Sequence, residues 1–133
     1  MESLQSTLLI DDDKFTNFYN EKIVKKHNTF NSITSVNSGA DALVYLQKAM
    51  DGLVKKPDVI FLDINMPAMN GWEFIEEYSK LDKTFTSSIK IIMLTTSSNP
   101  QDQEKANSSS FINSYINKPL STTLLDEALN FVK

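Results

Sequence analysis

The stretch Val59-Ile60-Phe61-Leu62-Asp63-Ile64-Asn65-Met66-Pro67 decides the fold. Its first four residues are apolar, and three of them are β-branched or aromatic. The pattern is neither helical nor alternating. A short continuous apolar run of this kind predicts a strand buried on both faces, as in a parallel sheet. Asp63 is then the first polar residue past the carboxyl end of that strand, the edge at which open α/β sheets bind ligands. Asn65, Pro67 and Gly71 are turn residues, so the chain loops before entering a helix at Trp72. Taken alone, a strand-end aspartate is a cap or loop residue. The other strands change that reading.

Thr7-Leu8-Leu9-Ile10 is a second apolar run after a short polar lead, residues 1–6, and it also ends in acid, at Asp11-Asp12-Asp13. A helical period starts at Lys14, with Phe15, Phe18, Tyr19 and Ile23 on one face and Lys22, Lys25 and Lys26 toward its C-terminus, where positive charge suits the dipole. Phe30 to Val36 predicts a weaker, more exposed strand. Asn37-Ser38-Gly39 caps a helix that carries Ala42, Leu43, Leu46 and Met50 inward. After Gly71, Phe74, Ile75, Tyr78 and Leu81 fall at core spacing. Ile89 to Leu94 is a third apolar run, ending in Thr95-Thr96. Asn99-Pro100 is a cap with proline at the first helical position. The helix it opens, roughly Gln101 to Ser108, has Ala106 as its one apolar residue and is expected to be marginal and exposed. Ser114 to Asn117 is a last short strand, followed by Lys118-Pro119. Ser121 caps a final helix with Leu124, Leu125, Ala128, Leu129 and Val132 inward.

The pattern is βα repeated five times. It predicts a five-stranded parallel sheet with helices on both faces, in one domain over residues 1–133. Right-handed crossovers favour the flavodoxin-like strand order 2-1-3-4-5, with the switch point between strands 1 and 3.

Composition excludes several functions. The net charge is −4 and no cysteine is present. Direct nucleic-acid binding is not expected, because no phosphate-neutralising patch exists beyond two lysine pairs. Disulfides, thiolate metal sites and a cysteine nucleophile are ruled out. The single histidine, His27, rules out a multi-histidine metal site. It reads as a surface residue rather than a phosphotransfer group. With no signal peptide pattern and no apolar run near the ~20 residues of a membrane span, a soluble cytoplasmic chain without membrane insertion is expected.

Read together, the strand ends form a constellation. In the 2-1-3-4-5 order, Asp11, Asp12 and Asp63 crowd the switch point, with Thr95 and Lys118 alongside. Three anions at contact distance repel unless a cation joins them. Hard oxygen ligands without His or Cys suit Mg²⁺. A carboxylate beside that metal, an ammonium and a hydroxyl is equipped to attack phosphorus.

These residues resemble the receiver domain of two-component response regulators, from Leu8 to Val132. The elements that match are Leu8-Leu9-Ile10-Asp11-Asp12, Phe61 to Pro67 with Gly71 following, Met93-Leu94-Thr95-Thr96, and Lys118-Pro119. The resemblance implies that Asp63 accepts a phosphoryl group from a phosphohistidine on a sensor histidine kinase or histidine phosphotransfer protein. It implies that Asp12 ligates Mg²⁺ directly, Asp11 mainly through water, and Asn65 through its backbone carbonyl, with Asp63 completing the set. Thr95 would be the switch hydroxyl, Tyr115 the aromatic switch residue, and Lys118 the partner of Asp63 or its phosphate, followed by a cis peptide. Asn65 and Ser97 would flank the path of the water that removes the phosphoryl group. The signal would pass to a downstream protein by contact.

Two departures lie in the bulkier, more polar segment Ser109 to Asn113 and in the polar fourth helix. Two other readings share the fold: a binding module that is never phosphorylated, and an aspartate phosphohydrolase. The second lacks the acid such enzymes place two residues after the nucleophile, where this chain has Asn65.

Overall fold

In the computed structural model, which describes residues 6–27, 29–96 and 99–130, the apolar runs become parallel strands. β1 (Ser6–Ile10), β2 (Ser32–Val36), β3 (Val59–Asp63), β4 (Lys90–Thr95) and β5 (Ile112–Asn117) form one sheet in the order 2-1-3-4-5. Every pairing is parallel. The helices are α1 (Lys14–His27), α2 (Gly39–Met50), α3 (Gly71–Tyr78), α4 (Lys83–Thr86), α5 (Pro100–Ser108) and α6 (Thr122–Asn130). The expected topology is the observed one, with the switch point between β1 and β3.

The central strands lack polar gaps because both sheet faces are covered. Leu8, Ile10, Ile60, Leu62, Ile91 and Met93 pack with Ala42 and Leu46 of α2 and Phe74, Ile75 and Tyr78 of α3. The alternate residues Leu9, Val59, Phe61, Ile92 and Leu94 pack with Val24 of α1 and Leu125, Ala128 and Leu129 of α6. A pleat sends successive side chains to opposite faces, so two cores demand an unbroken apolar run. β2, at the sheet edge, is half-buried throughout, as its polar sequence implies.

Several boundaries differ from the sequence reading. Ser6 belongs to β1 rather than to a polar lead, because its backbone N–H reaches Asp58 Oδ2 at 2.9 Å and its register partner is Ser32. The second strand starts at Ser32, while Phe30 is buried against the edge of Phe61 with ring centroids 6.5 Å apart. α3 stops at Tyr78, short of Leu81. Asp82 then accepts the Thr84 N–H and caps the separate turn α4. β5 begins at Ile112, two residues early, because the register shifts between Ile91 and Ile92. Asn113 fills the irregularity by accepting the Ile91 N–H at 3.0 Å. The expected inward position of Val132 lies outside the described residues.

The apolar face of α1 is divided: Ile23 packs against the core, while Phe15 is 85% exposed, Phe18 60% and Tyr19 42%. Asn17, Asn20 and Val24 are the buried residues. Asn17 sets the helix rotation, because its amide Nδ2 faces three oxygens, Asp11 O (2.9 Å), Val36 O (3.1 Å) and Asn37 Oδ1 (3.2 Å). His27 is also not the surface residue expected. Its side chain is 13% exposed, held by Thr29 Oγ1 and, 3.3 Å away, by Asp126 Oδ1 of α6.

Candidate functional site

β1 gives out at Ile10, and the next three residues are fixed by the turn they make. The Asp11 N–H donates to Val36 O, and Asp11 Oδ1 accepts the Asp13 N–H at 3.0 Å. Asp13 accepts the Phe15 N–H and the Thr16 hydroxyl, so it caps α1 and takes no part in the pocket. Asp11 and Asp12 remain at the sheet edge, the first buried and the second exposed.

β3 delivers Asp63, 5% exposed. The loop after it is folded back by the Gly71 N–H, which donates to Ile64 O at 2.7 Å. A Cβ on Gly71 would lie 2.8 Å from the Asp63 carbonyl oxygen and 2.9 Å from Ile64 Cα. Glycine is therefore required here for close approach, not for its φ. Asn70 and Glu73 then cap α3 reciprocally. Ala68, at φ 66°, is held in the left-handed region within this loop.

Lys118 follows β5. Its N–H donates to Thr95 O at 2.8 Å, and the Lys118–Pro119 peptide is cis, as expected. Its ammonium lies 2.6 Å from Asp11 Oδ2 and 3.2 Å from Asp63 Oδ1. One carboxylate oxygen from each of Asp11, Asp12 and Asp63 lies within 4.8 Å of the other two. Four of the expected site residues, far apart in sequence, thus converge.

Thr95 is fully buried at the end of β4, one register step from Asp63, which is level with Leu94. Asn65 is exposed in the loop after Asp63. Tyr115 is half-buried on β5, level with Met93 and packed on the α3 side of the sheet. Ser97 lies outside the described residues.

The electrostatics match the crowding. Burial pushes the Asp63 carboxyl up to about 6, the negative charge of Asp11 adds to the shift, and Lys118 opposes it. Burial would lower the Lys118 ammonium, but its hydrogen bond to Asp11 and the charge of Asp63 outweigh that, and it stands above its ordinary value. The donor set is all oxygen, with two of three carboxylates buried. That chemistry fits a hard divalent cation such as Mg²⁺ and no thiophilic metal.

Sequence reasoning missed two parts. Asn17 fixes the acidic turn, and its only signal is a polar stripe, Asn17 and Asn20, at helical spacing with Val24. A cavity of about 410 Å³ beside the acids is lined by Phe15, Thr16, Tyr19, Asn20, Thr96, Lys118 and Pro119. Phe15 and Tyr19 of α1 therefore border the site.

Known proteins agree with this geometry. Residues 7–130 match the response regulator receiver domain. A two-component response regulator from Cytophaga hutchinsonii superposes with a TM-score of 0.90, at 35% identity over 98% of each chain. The probable methanogenesis regulatory protein FilR2 of Methanothrix harundinacea is 30% identical over 98 residues, which are 74% of this chain and 61% of that protein. PilH of Pseudomonas aeruginosa is 27% identical over 126 residues, 94% of this chain and 95% of PilH. The chain thus spans about three fifths of FilR2 and nearly all of PilH. Because the domain match runs almost from end to end, this chain belongs to the response regulator receiver family of two-component signal transduction.

Proposed function

We propose that the chain works as a single receiver domain, residues 1–133, and that Asp63 accepts a phosphoryl group from a phosphohistidine on a sensor histidine kinase or histidine phosphotransfer protein. The observation that carries this reading is the contact of Lys118 with both Asp11 and Asp63 at the switch point of the sheet. An Asp63 oxygen forms the new P–O bond as the donor's P–N bond breaks, and the electron pair of that bond returns to the imidazole. Asp11, Asp12, Asp63 and the main-chain carbonyl of Asn65 would hold Mg²⁺, which when bound supplies positive charge to the phosphoryl oxygens. Lys118 exchanges its carboxylate partners for a phosphoryl oxygen and offsets charge there. Thr95 donates its hydroxyl to another. Its movement vacates space into which Tyr115 turns, so that a local charge event biases a two-state fold.

The chain then acts catalytically only on itself, in accepting the group and slowly losing it to water. A downstream protein reads the altered surface. The phosphohydrolase reading is disfavoured by Asn65, whose amide cannot serve as a general acid. Incubation with acetyl phosphate and Mg²⁺, followed by intact mass, tests the proposal. Wild type should gain the mass of one phosphoryl group and Asp63→Asn should not. Equal gain in both proteins would remove Asp63 from the role. Catalytic turnover of a small phosphate ester without a stoichiometric phosphoprotein would favour the hydrolase instead.

A further inference from the structure

α5 is held to the protein by unusual means. Its sequence, Pro100-Gln101-Asp102-Gln103-Glu104-Lys105-Ala106-Asn107-Ser108, buries one side chain, Ala106. Apolar packing of one alanine gives a nine-residue helix little purchase on the sheet. A sideways tie comes from α3. Trp72 Nε1 donates to Asp102 Oδ1 at 3.0 Å. One turn along the same face of α5, Lys105 Nζ lies 5.5 Å from the centroid of the Trp72 ring. Trp72 is half-buried against the α2–α3 core, so packing anchors the α3 end of the tie.

The two ends of this tie are not arbitrary places. Trp72 directly follows Gly71, whose backbone closes the Asp63 loop. Asp102 sits in the first turn of the helix that β4 and Thr95 lead into. Asp102 also faces β5, where its charge acts with burial to raise the Tyr115 hydroxyl. One indole therefore connects the acceptor loop to the helix that follows β4 and packs against β5.

We propose that Trp72, Asp102 and Lys105 form a clamp that holds α5 in its resting position and so opposes the switch. The clamp rests on the reading of Asp63 as phosphoacceptor. Trp72 is on this view a positioning residue: it acts on Thr95 and Tyr115 through α5 and touches no reacting atom.

Two variants test it. Trp72→Phe keeps an aromatic ring in place but removes the N–H donor. Asp102→Ala removes the acceptor at a half-exposed position, which keeps the test available if the first variant fails to fold. Backbone hydrogen exchange read by mass spectrometry should speed up in peptides covering residues 100–108 and stay unchanged in β1, β3 and α2. Faster exchange throughout would make Trp72 an ordinary packing residue, and unchanged exchange in α5 would remove the clamp altogether. Trp72 is the single tryptophan, so its quenching by acrylamide should rise in Asp102→Ala; unaltered quenching counts against the contact.

The initial rate of phosphorylation by acetyl phosphate and Mg²⁺ should then rise roughly fivefold or more in both variants, the lower end of ordinary coupling between sites. A rate equal to or below wild type overturns the claim that the clamp opposes switching. A wild-type chain that gains no phosphoryl mass fails the acceptor reading instead. In that case the exchange and quenching results still decide whether the clamp holds α5.

Discussion

Asp63 is a destabilising residue as well as the proposed acceptor. Its carboxyl is raised to about 6, first by burial and then by Asp11, whereas in an unfolded chain it titrates at about 3.9. Between those values the folded chain keeps a proton that the unfolded chain has released. Stability therefore falls as pH rises from about 4 to about 6, and the loss persists above that window. Asp63→Asn should be more stable than wild type near neutral pH in EDTA, by about 1–3 kcal/mol, and the gap should close toward about pH 4. Urea midpoints at the two pH values check this; a gap independent of pH would place its cause in packing. A second residue carries the cost of a buried, unpaired polar atom. The Tyr78 hydroxyl is buried, its ring lies between Phe74 and Phe111, and among the described residues it has no hydrogen-bond partner. Burial without a partner raises its ionisation well above the ordinary value. Tyr78→Phe removes only that oxygen, so thermal unfolding should show a neutral to about 1 kcal/mol stabilising change. A loss of more than about 1 kcal/mol would mean that the hydroxyl has a partner after all.

At the scale of elements, the loop between β3 and α3 and the outer face of α1 each make a separable claim. Alanine at position 71 would press its Cβ into the Asp63 carbonyl and Ile64 Cα, both backbone, so the loop must shift. Gly71→Ala should cost about 1–3 kcal/mol and slow phosphorylation from acetyl phosphate, since the acceptor backbone is what moves. Unchanged stability with an unchanged rate would show that the loop gives without disturbing Asp63. The α1 face tests something different. Phe15 is 85% exposed and shares a cavity with Lys118 and Pro119, which puts an apolar ring where a protein donor must approach. Phe15→Ala should lower transfer from a phosphorylated kinase or phosphotransfer protein, with little effect on transfer from acetyl phosphate, which is too small to need the ring. Equal losses with both donors would place Phe15 in the chemistry. This face also marks where the sequence misleads. Helical periodicity reports that an amphipathic stripe exists, but not whether the sheet or a partner covers it. The rotation of α1 is decided by Asn17 and its three oxygens, and single-residue hydrogen bonding leaves almost no periodic trace. The strand ends were legible for the opposite reason. Asp11, Asp63 and Thr95 each follow an unbroken apolar run, and two-sided burial leaves such a run only one interpretation. Between β3 and β4, the expected helix stops at Tyr78, short of Leu81, and the turn α4, capped by Asp82, has no periodic signal to announce it.

For the whole molecule, topology does what no local pattern could. The 2-1-3-4-5 order makes β1 and β3 neighbours, and so brings Asp11 and Asp12 to Asp63 across some fifty residues of chain. Order was inferable from the count of βα units and the handedness of their crossovers. The ammonium's preference was not, because the 2.6 Å contact of Lys118 with Asp11 depends on side-chain packing after assembly. The result is a fold that concentrates negative charge at one edge and neutralises it only in part. If that edge holds Mg²⁺ as proposed, global stability is coupled to the cation. Anything that binds the folded chain and not the unfolded one stabilises it by mass action, about 2.7 kcal/mol at a hundredfold excess over Kd. Wild type should therefore gain about 2–3 kcal/mol when Mg²⁺ is added to that level. Asp12→Asn should show the reverse balance. In EDTA it lacks one of three mutually repelling charges and should unfold at a slightly higher urea concentration than wild type, by less than about 1 kcal/mol because Asp12 is exposed and screened. With saturating Mg²⁺ it offers a neutral amide oxygen in place of a carboxylate, so wild type should overtake it, and the two stability curves should cross as the cation is titrated. A Ca²⁺-free, Mg²⁺-buffered series of urea melts follows the crossing directly. Parallel curves, with Asp12→Asn above or below wild type at every Mg²⁺ concentration, would mean that Asp12 is a surface charge with no share in the cation, and that Asp11 and Asp63 hold it without help.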